Sequence, residues 1–126
     1  MNAASTVNYF RYVGLGALMV IGILSEVPGE LRPHVFAVTQ LEHFMAYFAA
    51  GLLLALGFWS RRNVLLLSLA LPVYAAVLEI TQLIVPGRSS EFIDFFASLA
   101  GAWAGIALAG LLLRSVCRLR RLGKAF

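Results

Sequence analysis

Four stretches of this chain are apolar on every side of a helix, and nothing else in it limits the possible folds as strongly. They cover residues 9–24, 44–59, 64–85 and 92–113. A helix that crosses the hydrocarbon core of a bilayer needs about 20 residues. A water-facing helix of that length carries an apolar stripe and a polar face, and these runs show no such alternation. With 61% hydrophobic and 13% charged residues and a mean hydropathy of +0.88, the chain has too few polar side chains to cover a soluble surface. The expected fold is an all-α membrane protein: one domain over residues 1–126, a bundle of about four transmembrane helices, with a basic tail at 114–126. The first run is expected to stay as a span, because "ILSEVPGE" puts Glu26 and Pro28 where a signal-peptide cleavage site would need small residues.

The basic residues are distributed by side. Arg11, Arg61, Arg62, Arg114, Arg118, Arg120, Arg121 and Lys124 fall on one side of the alternating spans, and Arg32 and Arg88 on the other, eight against two. The positive-inside rule then puts both termini in the cytoplasm and the links at 25–43 and 86–91 outside, as expected for a multi-pass protein of a bacterial cytoplasmic membrane. The net charge of +4 and pI near 9.8 are explained by this flanking pattern. No soluble basic patch with interleaved aromatics exists, so nucleic acid is not an expected partner. Trp59 beside Arg61 suits an interfacial anchor, and Cys117, the lone cysteine, reads as filler in the basic tail.

Polar residues gather at the outer ends of the spans. "EITQLIVPGRSSEFID" sets Glu79 and Gln82 three residues apart on one helical face, just before the helix-breaking Pro86 and Gly87. Glu79 lies inside an apolar run and must be paired, protonated or facing water, which makes it a candidate site residue. Asp94, Ser98, Gly101 and Gly105 form a polar and small stripe on the fourth span, the glycines suiting close helix packing. On the second span His43, Tyr47 and Gly51 repeat every four residues on one face. If those faces converge, His43, Glu79 and Asp94 are the candidates for proton chemistry, and Tyr47, Gln82, Arg88 and Ser98 for ligand contact. Glu42 and Glu91 read as solvated loop charges and His34 as a loop residue. Pro72 is expected to bend the third span or be absorbed by its neighbours.

At these residues the chain resembles the VanZ-like family of small membrane proteins. The likeness rests on Glu79-x-x-Gln82-x-x-x-Pro86-Gly87-Arg88 followed by Asp94, Gly101 and Gly105, and on His43-x-x-x-Tyr47, and it covers residues 25–110. The family pattern usually has asparagine four residues after the aspartate; here Ser98 keeps a hydroxyl and lacks the amide. The resemblance implies a role in the bacterial envelope and, for the founding member, low-level resistance to glycopeptides, chiefly teicoplanin.

Three functions compete at this point. One is a binding protein for membrane lipids or a lipid-linked envelope precursor, with Arg88 on phosphate or carboxylate and Glu79, Gln82 and Asp94 orienting it. A second is an intramembrane enzyme on a phosphate-bearing lipid, with His43 as acid or base. Against it stands the lack of a nucleophile motif: Ser89 and Ser90 read as turn residues. No metal-ligand spacing and no phosphate loop are present, so neither a metal nor a cofactor is expected. The third is a small oligomeric transporter, which the lack of a midplane charge disfavours.

Overall fold

The computed structural model describes residues 2–31, 38–87 and 91–122, and the regular elements among them are all helical. Four α-helices follow one another: α1 (Ala3–Glu26), α2 (Thr39–Gly57), α3 (Arg61–Gln82) and α4 (Phe92–Leu122), with a single 3-10 turn at Gly29–Leu31. Helices α1, α3 and α4 are each long and apolar enough to span a membrane. Helix α2 has 19 residues, with Gln40, Glu42 and His43 in its first turns, and packs on all three others, chiefly α4. At 1.5 Å per residue its length is about 28 Å, close to the thickness of a hydrocarbon core.

Local chemistry sets the ends. Asn2 caps α1 by accepting the Ser5 amide at 2.9 Å, and Ser60 caps α3 by accepting the Asn63 amide at 3.1 Å. Past α3, Gly87 takes a φ of 72°, a left-handed conformation that glycine adopts without strain. The boundaries differ from the apolar runs in two instructive ways. Helix α2 starts at Thr39, ahead of its run, and α4 continues through the first part of the basic tail. In both places polar residues extend a helix that lipid alone does not require.

The helices alternate in direction. Arg11 Nε near the start of α1 donates to the Gly57 carbonyl at the end of α2 at 2.7 Å, occupying a carbonyl that the helix leaves without an intrahelical partner. Thr81 at the end of α3 donates to Glu26 at the end of α1 at 2.7 Å. Helices α2 and α4 therefore run parallel, and glycines bring their backbones together. A Cβ added to Gly51 would stand 2.5 Å from the Ala102 carbonyl; one on Gly101 or Gly105 would collide with the carbonyls of Phe44 or Phe48. The expected packing role of Gly101 and Gly105 is met against backbone, where no side chain can give way.

Pro72 sits inside α3. A proline has no N–H to give to the carbonyl four residues earlier, here Ser68. The Trp103 indole of α4 donates to that same carbonyl at 3.0 Å. A neighbouring helix thus supplies the donor that the proline withdraws.

This alternation also separates charge. Glu26, Glu30, Glu42, Glu79, Glu91 and Asp94 lie toward one end of the bundle, and Arg11, Arg61, Arg62, Arg114 and Arg118 toward the other.

Candidate functional site

At the acidic end, three helices deliver polar side chains to one buried place. Helix α2 contributes Gln40 and His43 from one face of its first turns, α3 contributes Glu79 from its last, with Gln82 buried one turn beyond, and α4 contributes Asp94 and Ser98 from its first two. His43, Glu79, Gln82, Asp94 and Ser98 are all buried. The backbone contact at Gly101 lies one turn below Ser98 and holds α4 close enough for this serine to reach α2.

The imidazole of His43 is the hub. Its Nδ1 stands 3.8 Å from Glu79 Oε1 and 3.3 Å from the Ser98 hydroxyl, and its Nε2 stands 3.9 Å from Asp94 Oδ2. Asp94 Oδ1 in turn accepts a hydrogen bond from Gln40 Nε2 at 2.9 Å. Asp94 also sits in the first turn of α4, where the unpaired amides and the helix dipole favour a carboxylate. One ring thus lies between two carboxylates, one at each nitrogen. Such a ring can carry a proton paired with either acid, or accept one on one side and release it on the other. Because the two nitrogens diverge, the acids do not converge on a common point, and among the described residues no three His, Cys, Asp or Glu side chains are grouped to hold a metal.

Beside this cluster a groove of about 510 Å³ opens between α3 and α4, within the size range of small-molecule sites. Ile80, Leu83, Phe92, Phe95 and Phe96 give it apolar walls, and Glu79 and Glu91 are its polar lining. Ile80, Leu83, Phe92 and Phe96 are well exposed, so the groove faces the surface that a bilayer would cover. Glu79 belongs to both places: it lines the groove and it contacts the His43 ring.

Of the residues singled out in the sequence, His43, Glu79, Asp94 and Ser98 meet. Tyr47 lies a turn deeper in the core, its ring 6.5 Å from that of Tyr74, and it is close enough to Glu79 for the two to interact electrostatically. Gln82 is a turn beyond Glu79, and its Nε2 has no hydrogen-bond partner among the described residues. Arg88, together with His34, Ser89 and Ser90, lies outside the described residues. Glu42 is no loop charge: it stands in the first turn of α2, partly buried, because the helix begins before its apolar run. Glu91 is exposed, as a solvated charge should be. Gln40 was not picked out from the sequence, though it stands three residues before His43 on the same helical face. The groove has no sequence signal, since its walls are built from residues that any lipid-facing helix carries.

A comparison with protein-family models matches residues 5–113 to VanZ/LLP1. No curated protein and no solved structure gives a significant match.

Proposed function

The chain belongs to the VanZ/LLP1 family, and from that premise we propose that it is an envelope factor that binds a membrane lipid or lipid-linked cell-wall precursor at the outer face of a bacterial cytoplasmic membrane. The observation that carries this reading is the double position of Glu79, in the wall of an apolar groove and in contact with His43. An amphiphile needs that combination: an apolar channel reached sideways from the bilayer, ending at fixed polar groups. The acidic end bears the site, and the positive-inside rule assigns this end to the outer leaflet. On sequence grounds Arg88, between Gly87 and Asp94, is the group for phosphate or carboxylate. Teicoplanin resistance, the trait associated with the founding member, is the phenotype through which such binding would act.

A second reading, an intramembrane enzyme, draws support from the His43 ring, whose nitrogens each face a carboxylate at 3.8 and 3.9 Å. One experiment separates the two. Purified protein in nanodiscs is incubated with undecaprenyl phosphate and with common phospholipids; bound and released lipid are then quantified by mass spectrometry. Binding without a mass change, lost in Glu79→Gln, is the expected result. Turnover that depends on His43 would replace the binding reading with the enzymatic one, and retention equal to that of an unrelated four-helix protein would remove both.

A further inference from the structure

The groove's lining selects for charge as well as for size. Its two polar lining residues, Glu79 and Glu91, are both carboxylates, and three of its wall residues, Phe92, Phe95 and Phe96, are aromatic. The rings of Phe95 and Phe96 meet edge to face at 5.5 Å. No arginine or lysine lines it among the described residues. Aromatic faces attract cations, most strongly ammonium groups removed from water, and carboxylates add to that attraction. A bare phosphate placed in the same groove would meet two like charges.

We propose that the groove between α3 and α4 binds a membrane phospholipid through a primary amine on its head group, the ammonium lying among Glu79, Glu91 and the phenylalanine wall. The acyl chain follows Ile80 and Leu83. Glu79 keeps its contact with His43, because a carboxylate offers two oxygens and about four acceptor positions. The proposal rests on the reading of the groove as an amphiphile site and specifies which head group it takes.

Three lipids with identical acyl chains test it: phosphatidylethanolamine, its N-acetylated form, which keeps the phosphate and loses the ammonium, and phosphatidylglycerol. Each is titrated against the purified protein in detergent, and retention is read by native mass spectrometry. The amine lipid is expected to bind about tenfold more tightly than the other two. Glu91→Gln, at an exposed position that leaves folding intact, should narrow that ratio, and so should Glu79→Gln where its helicity matches the parent. Equal binding of all three, or a preference for phosphatidylglycerol, overturns the amine proposal and leaves the amphiphile reading standing. Retention of none above an unrelated membrane protein overturns both.

Discussion

Replacing Trp103 by phenylalanine keeps an aromatic ring on α4 and removes the indole donor that reaches the Ser68 carbonyl across the bundle at 3.0 Å. Interhelical hydrogen bonds in membranes are modest, averaging about 0.6 kcal/mol and reaching about 1.7. This one should stand near the top of that range, since the usual donor to Ser68 is the N–H of residue 72 and Pro72 has none. The bond lies on the exposed face of the bundle, where lipid offers the freed acceptor no water, and an acceptor left without a partner there is worth about 1–3 kcal/mol of destabilisation. Trp103→Phe should therefore lower stability by about 1.5 kcal/mol. In a Pro72→Ala background the alanine N–H can close the helical bond to Ser68, and the same tryptophan substitution should then cost about 0.5 kcal/mol, for lost packing alone. The assay is a double-mutant cycle on thermal or denaturant unfolding in detergent, with helicity followed by circular dichroism. A coupling of about 1 kcal/mol is expected. Additivity within about 0.3 kcal/mol would refute the reasoning, because independent sites behave that way.

The glycines of the α2–α4 contact give a second test with its own control. Gly101→Ala places a Cβ against the Phe44 carbonyl and should destabilise by about 1–3 kcal/mol, whereas Gly16→Ala meets nothing within 4 Å and should be neutral or gain up to about 1 kcal/mol; equal effects in detergent melting would contradict the backbone packing. For orientation, cysteines placed at Ser89 and Ser115 in a Cys117→Ser background should differ, Ser89→Cys reacting with an impermeant thiol reagent on intact cells and Ser115→Cys not. The reverse pattern would invert the topology. Glu79→Gln and Arg88→Gln are each expected to keep membrane insertion and lose function in a teicoplanin-sensitivity assay, with no recovery in the double variant. Full activity in Arg88→Gln would return that residue to a plain interfacial charge.

Much of this protein could be read from its residues. Four long, predominantly apolar runs leave helices as the structure that satisfies backbone groups in lipid, so helix number and order follow from the sequence. The spacing of His43, Glu79, Asp94 and Ser98 put each on a definite face near one membrane surface, and all four meet. Helix ends were less legible, because Gln40, Glu42 and His43 interrupt the apolar pattern at the point where α2 already needs Gln40 and His43 for contact with α4. Hydropathy measures what lipid tolerates, and it does not register what a neighbouring helix demands. Trp103 illustrates the same limit: the sequence marks Pro72 as a defect, but only the packing of α4 on α3 identifies which side chain repairs it.

The parallel pairing of α2 and α4 sets an order for biogenesis. Neighbours in a chain insert as antiparallel hairpins, but these two are second and fourth and point the same way, so their contact waits until α4 has left the ribosome and entered the bilayer. Until then the imidazole of His43 rests in the membrane with neither Asp94 nor Ser98 beside it, and Phe44 and Phe48 present carbonyls to a space that α4 has yet to fill. Helix α4 is thus the keystone of assembly: a nascent chain halted before Phe92 keeps its hairpin of α1 and α2 but leaves the polar turns of α2 without α4, polarity that the membrane interior penalises.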